Sequence, residues 1–253
     1  MFLKRPKRKI DFLIVGTQKG GTSALDKYIR EHPEIGMAKR KELHFFDNEK
    51  VFSKSKIDYS EYECQFDFTS NKKVYGEATP IYIYWEPSCR RIWEYNSNIK
   101  LIFILRNPVT RAFSHWNMEF DRNADEKDFS FAINKEEQRT KEALPLQHRV
   151  YSYIDRGFYS EQIRRYKRYF SDEQMLFIKY EEFKNNQKNV LCRIFDFLGV
   201  NSESYSFSFK EVHNRKKHST LSEEDKHFLI NKFEDDIRQV QKMLNWNCSD
   251  WLE

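Results

Sequence analysis

The sequence predicts an α/β fold, a parallel sheet flanked by helices in a single domain over residues 1–253, and three strand-to-helix passages predict it. Phe12-Leu13-Ile14-Val15, closed by Gly16, is short, branched and apolar, as a buried strand is. A glycine-rich turn follows, then Ser23 to Glu31, which sets Ala24, Leu25, Tyr28 and Ile29 on one helical face before His32-Pro33 ends it. The second passage is Leu101-Ile102-Phe103-Ile104-Leu105, bounded by Arg106-Asn107-Pro108 and leading into a helix from Val109 to Phe120. In the third, Met175-Leu176-Phe177-Ile178 runs through Lys179-Tyr180-Glu181-Glu182 into a helix that reaches Leu198 and stops at Gly199. Ser160 to Phe170 carries a helical pattern with Ile163, Tyr166, Tyr169 and Phe170 inward, and the Glu223–Leu244 helix, with Trp246 and Trp251, docks on the core. Strands that alternate with helices need crossovers, which make the sheet parallel and cover both its faces.

Composition narrows the class. The 16% aromatic content, with 22 Phe and 14 Tyr, is too high for a disordered chain. Only 7 Gly and 6 Pro argue against low-complexity architecture. No apolar run exceeds five residues, too few to span a bilayer, and the basic N-terminus is not followed by the apolar stretch of a signal peptide. Cys64, Cys89, Cys192 and Cys248 lie far apart, with neither a CxxC pair nor zinc spacing, so they read as ordinary cytosolic thiols. The expected setting is cytoplasmic, with no membrane partner and no metal. Lys and Arg number 44 against 39 Asp and Glu, a net +5 that suits an anionic ligand. No internal repeat or linker divides the chain. Residues 121–149 are polar and weakly patterned, and read as a surface insertion or lid.

The stretch Gly16-Thr17-Gln18-Lys19-Gly20-Gly21-Thr22-Ser23 is P-loop-like. Its glycines let the backbone approach an anion, and the helix that follows points amide N–H groups and a partial positive charge at it. In the nucleoside-triphosphate loop GxxxxGK[ST], a lysine precedes the hydroxyl residue; here Thr22 takes that place and the lysine sits inside the loop as Lys19. The strand ending at Leu105 gives Arg106 where a magnesium-binding Asp would be expected, which disfavours a magnesium-dependent nucleotide kinase. Arg106 stands at a strand's carboxyl end, where open α/β sheets bind ligands, and Ser114 lies eight residues further on. A guanidinium fork and a hydroxyl suit a phosphate.

Together these segments resemble the sulfotransferases that use 3′-phosphoadenosine 5′-phosphosulfate (PAPS). Thr17-Gln18-Lys19-Gly20-Gly21-Thr22 is similar to that family's 5′-phosphosulfate loop, and the Leu105–Ser114 segment to its 3′-phosphate strand and helix. Lys41-Glu42-Leu43-His44-Phe45-Phe46-Asp47 looks like the catalytic-glutamate segment of heparan sulfate sulfotransferases and their bacterial relatives. Glu77-Ala78-Thr79-Pro80-Ile81-Tyr82 resembles a substrate-cleft segment that often carries Lys where this chain has Ala78. The likeness continues through Arg156-Gly157-Phe158-Tyr159 and Lys179-Tyr180-Glu181-Glu182-Phe183.

The resemblance implies in-line sulfuryl transfer from PAPS to a hydroxyl or amine of a carbohydrate or small-molecule acceptor, with adenosine 3′,5′-bisphosphate (PAP) as product. It implies Glu42 as general base, Lys19 on the leaving group and His44 in support. Thr17, Gln18, Gly20, Gly21, Thr22, Ser23, Arg106, Ser114 and Tyr159 would join Lys19 in holding the donor. Arg215 and Lys216, in a basic loop at 211–220, would close over it. Asp47 and Glu77 would face the acceptor. The competing function is a basic nucleic-acid-binding protein built on the charge clusters and aromatics; no nucleic-acid partner is expected if the loop is a donor site.

Overall fold

The computed structural model describes residues 8–207 and 219–253. Arg215, Lys216 and most of the 211–220 loop lie outside them. In chain order the elements are β1 (Phe12–Gly16), α1 (Thr22–Arg30), β2 (Ile35–Met37), α2 (Glu49–Phe52), α3 (Ser60–Glu63), β3 (Val74–Ala78), α4 (Glu86–Tyr95), β4 (Lys100–Leu105) and α5 (Pro108–Asp121). Then come α6 (Phe129–Asn134), α7 (Glu136–Thr140), α8 (Tyr159–Lys167), β5 (Met175–Lys179), α9 (Tyr180–Asn185), α10 (Gln187–Leu198) and α11 (Glu223–Leu244).

The five strands form one sheet in the order β2-β3-β1-β4-β5, and every pairing is parallel. The three strands expected from apolar runs are all present. The two additional strands lack such runs. β2 is a three-residue edge strand, and β3 reads Val-Tyr-Gly-Glu-Ala, with a glycine and a carboxylate where a buried strand is ordinarily apolar. The helix expected to run unbroken to Leu198 is two helices, parted at Asn186, whose φ of −140° and ψ of 57° are not helical. The run Asn185-Asn186-Gln187 explains this, because short amide side chains compete for the backbone.

Alternation along the central strands divides the core into two layers. Leu13, Val15, Leu101, Phe103 and Leu105 face one layer with residues of α4, α5, α8 and α11. Phe12, Ile14, Ile102 and Ile104 face the other, with residues of α1 and α10. The larger layer contains a nest of rings: Phe45 stacks on Tyr62 at 4.7 Å, and Phe46, Tyr62, Tyr82 and Tyr95 pack edge-on or tilted at 5–6 Å. This nest fixes the chain just after Glu42, since Tyr82 Oη accepts hydrogen bonds from the Phe45 and Phe46 amides at 3.0 and 3.4 Å. Residues 121–149 carry α6 and α7. Phe129, Ala132 and Ile133 are buried there, and Arg139 grips Asp125 through both guanidinium nitrogens at 2.9 and 2.7 Å. Among the described residues no helix is long and apolar enough to cross a membrane.

Candidate active site

Three segments distant in sequence meet at the carboxyl ends of β3, β1 and β4, which are neighbours in the sheet. The glycine loop leaves β1, Arg106 leaves β4, and the Glu42 amide donates to the carbonyl of Ala78, the last residue of β3, at 3.0 Å.

The loop is shaped for an anion. It is pinned by the Thr17 amide on the Ile104 carbonyl at 2.8 Å and by the Gly20 amide on the Thr17 carbonyl at 2.9 Å. A Cβ on Gly20 would lie 2.6 Å from the Ile104 oxygen, and Gly21 combines a φ of +97° with the Tyr180 ring 2.9 Å from where its Cβ would stand. Gly21 is the N-cap of α1 and has no side chain to cap it, and no acidic residue occupies the first turn. The first-turn amides and the dipole are therefore left for a ligand, and the residues present fit a phosphate. Gln18 and Lys19 are partly exposed, Ser23 is exposed, and Thr17 and Thr22 are buried beneath them.

Arg106 is joined directly to that loop, donating from Nη1 to the Lys19 carbonyl at 3.2 Å. Its Nε donates to Thr110 Oγ1 at 3.1 Å, and its guanidinium lies 4.9 Å from the Tyr180 ring centre. Ser114, one face along α5, is partly exposed. Tyr159, expected among the donor-binding residues, is fully buried, and its hydroxyl donates to the Arg106 carbonyl at 2.8 Å. It props the arginine from below, as a buried ring must, rather than offering a face to a nucleotide. Further positive charge lies beneath the loop in Arg111 and Arg156, both buried. Burial, followed by the charges of Arg156, Arg111 and Lys19, drives the His115 imidazole well below its ordinary value, so that side chain is neutral.

The acid–base cluster is a chain of four groups. Lys41 Nζ pairs with Glu42 Oε1, Glu42 Oε2 lies 3.6 Å from His44 Nε2, and His44 Nδ1 is 3.0 Å from Asp47 Oδ2. Both Glu42 and His44 adopt left-handed backbone conformations, φ 61° and 52°, which turn their side chains toward one another. Burial raises the Glu42 carboxyl, but the His44 hydrogen bond and the Lys41 charge outweigh it and hold the group at about 2. His44 is pushed up to about 9 by its bonds to Asp47 and Glu42, against the opposing effect of burial. At neutral pH the cluster is an imidazolium between carboxylates.

Asp47 and Glu77, expected to face an acceptor, are completely buried. Asp47 is occupied by His44 and by Arg149, whose Nη1 donates to Oδ2 at 2.6 Å. Glu77 accepts from Thr79 Oγ1 at 2.6 Å and Tyr62 Oη at 3.4 Å, and burial pushes its carboxyl up to about 7. Both support the site from behind. Sequence reasoning did not single out Arg149, because its contact with Asp47 spans 102 residues and no local pattern marks it.

Comparison with known proteins shows the family and the fold. The sequence pattern of the sulfotransferase domain matches residues 9–251. The chain is 24% identical to the membrane-associated sulfotransferase kil1 of Dictyostelium discoideum, over 93% of this chain and 65% of that protein. It is 31% identical to human heparan sulfate glucosamine 3-O-sulfotransferase 3B1, over 74% of this chain and 45% of that one. The chain thus spans between about half and two thirds of the length of these relatives. Among solved structures, a sulfotransferase from Alicyclobacillus acidocaldarius superposes with a TM-score of 0.81 at 27% identity, covering 97% of this chain and all of that one. Mouse sulfotransferase SULT7A1 complexed with PAP shares the fold, with a TM-score of 0.57 at 18% identity over 94% of this chain and 89% of its own. With its loop, strand ends and acid–base cluster in place, and the domain pattern running almost from end to end, the chain belongs to the sulfotransferase domain family.

Proposed function

We propose that this chain moves a sulfuryl group from PAPS to a hydroxyl or amine of a carbohydrate or small-molecule acceptor, releasing PAP. The observation that carries the reading is the convergence of the glycine loop, Arg106 and Glu42 at three adjacent strand ends, with the Lys19 carbonyl bonded to Arg106 at 3.2 Å. One donor bearing a 5′-phosphosulfate and a 3′-phosphate would answer both the uncapped α1 terminus and the Arg106–Ser114 side. Bound there, it supplies a sulfuryl group on a phosphate leaving group.

The chain's own residues supply the rest. Glu42, ionised and presented by His44, takes the acceptor proton as the acceptor atom bonds to sulfur. Lys19 and the amides of Gly20, Gly21 and Thr22 stabilise the negative charge left on the phosphate oxygen when the bridging bond breaks. The names of the heparan sulfate relatives favour a glycan hydroxyl as acceptor.

Calorimetric titration with PAP beside 5′-AMP and ATP–Mg²⁺ tests the donor. PAP should bind much more tightly than either competitor, and Arg106→Ala should weaken PAP by about tenfold or more while changing 5′-AMP little, since a charge-assisted phosphate contact contributes about 1.5–3 kcal/mol. Equal weakening of both nucleotides would detach Arg106 from the 3′-phosphate. Tight ATP–Mg²⁺ binding without a PAP preference would replace the reading with a kinase.

A further inference from the structure

The cluster around Glu42 and the glycine loop are connected through the protein by side chains that neither motif contains. Arg149 Nη1 donates to Asp47 Oδ2 at 2.6 Å, and its Nη2 donates to the Asp47 carbonyl. One guanidinium thus holds both the side chain and the backbone of the residue that orients His44. The guanidinium also lies over the Trp85 ring, 4.1 Å from its centre. The carbonyl of the same Arg149 accepts from Arg156 Nη2 at 2.6 Å. Arg156 spends its remaining donors on Ser152 Oγ at 2.8 Å and on the Gln18 carbonyl oxygen Oε1, in the glycine loop, at 2.5 Å. It is 1% exposed and packed against Tyr84, whereas Arg149, at the cluster end of the route, has a 44% exposed side chain held by its bonds to Asp47.

We infer that Arg149 is a positioning residue for the acid–base cluster and that, through Arg156 and Gln18, it ties the orientation of His44 and Glu42 to the state of the glycine loop. The inference rests on the proposed donor reading for what occupies the loop. Its chemistry is that of a fork: Asp47 Oδ2 is shared by His44 and Arg149, so the carboxylate faces the imidazole only while the guanidinium holds it from the other side. A shift of Gln18 on anion binding would be passed by Arg156 to the Arg149 carbonyl through hydrogen bonds within the protein. The charged groups around His44 are Glu42, Asp47 and Glu77. Lys41 bonds Glu42 from the opposite side, and Arg149 bonds Asp47.

The test reads the His44 ring by NMR in the full chain, with His44→Gln assigning its signal and PAP as the probe. Without nucleotide, Arg149→Ala should lower the His44 titration midpoint by a unit or more from about 9 toward the ordinary 6.5, because the unclamped Asp47 turns away. Arg149→Lys, which keeps the charge and loses the fork, should fall between the two. An unchanged or raised midpoint in Arg149→Ala would mean that Arg149 merely screens Asp47, and would overturn the positioning role. At saturating PAP the wild-type His44 signal should shift, and Gln18→Ala and Arg149→Ala should each cut that shift at least twofold, the double variant doing no more than either single one. Equal shifts in all of these proteins, or none in a wild type that binds PAP, would overturn the link to the loop. A wild type that does not bind PAP removes the donor reading instead, and the nucleotide-free midpoint still decides the role of Arg149. Arg156 is left unaltered because so buried an arginine cannot be removed without disturbing the fold.

Discussion

As the proposed base, Glu42 poses a problem of acid strength, because a carboxylate held at about 2 is always ionised but binds a proton weakly. His44 resolves part of it. As the imidazolium passes its charge between Glu42 and Asp47, it fixes the direction of the Glu42 carboxylate, and an acceptor that displaces Lys41 would raise the carboxylate's basicity where it is needed. Glu42 lies below its ordinary 4.5, so its pairing contributes stability above that pH and loses it as pH falls toward 2. His44 lies above 6.5, so its contribution is complete below that pH and is lost as pH rises through about 9. Transfer rate should therefore be level from pH 5 to 8 and fall as pH passes about 9. A pH–rate profile that instead falls below pH 7 would point to another base. Glu42→Gln should keep PAP affinity and lose roughly 10²–10⁴ in transfer rate. At this scale the sequence made Lys19, Glu42, His44 and Arg106 legible, because each sits in a short motif whose chemistry is local. The burial of Asp47, Glu77 and Tyr159 was not legible, because whether a polar side chain is covered depends on what packs over it from elsewhere in the chain.

Among the elements, the passage from β1 to α1 carries the most constraint per residue. Its turn threads beneath the end of β4, with the Thr17 amide on the Ile104 carbonyl, and the same carbonyl lies 2.6 Å from where a Gly20 Cβ would be. A backbone oxygen in a central strand cannot withdraw as a side chain could. Gly20→Ala should therefore cost about 1–3 kcal/mol in stability and abolish measurable PAP binding, as followed by urea unfolding and calorimetry. Wild-type affinity in that variant would show that the loop has room the close contacts deny. Strands with unbroken apolar runs, β1, β4 and β5, were readable as strands. β3 was not, because Gly76 and Glu77 interrupt its pattern, and the same Glu77 is buried there by the ring nest rather than by its own neighbours in sequence.

Across the whole molecule, the last helix and the chain that follows it brace the site from beneath. Asp236 of α11 accepts from the Tyr159 and Ser160 amides at 2.8 and 3.1 Å and from Ser160 Oγ at 2.6 Å, satisfying the start of α8. Phe233 packs against Phe158, and beyond the helix Trp251 Nε1 donates to Glu181 Oε2 at 3.3 Å while Lys179 Nζ meets Asp250 at 2.5 Å. Glu181 in turn accepts the Asn107 amide at 3.2 Å, beside Arg106. Asp236→Ala should lower stability by about 2 kcal/mol, and Asp236→Asn by less, because the amide oxygen can still accept. Equal urea midpoints for wild type and Asp236→Ala would remove α11 as the cap of α8. The helix itself was evident from its periodicity. Its service to α8 was not, because the partners lie 77 residues apart.

The position of β1 also has a consequence on the ribosome. β1 is made before either of its partners in the sheet, Val74–Ala78 and Lys100–Leu105, yet it is the middle strand and apolar on both faces. At the usual pace of synthesis, Phe12–Gly16 waits roughly 5–20 s before both flanking strands have been made. During that interval the nascent chain exposes a sticky, unpaired ribbon. Its early handling therefore falls to whatever shields apolar segments at the exit tunnel, and slower translation of the stretch between Gly16 and Leu105 should increase its loss to aggregation.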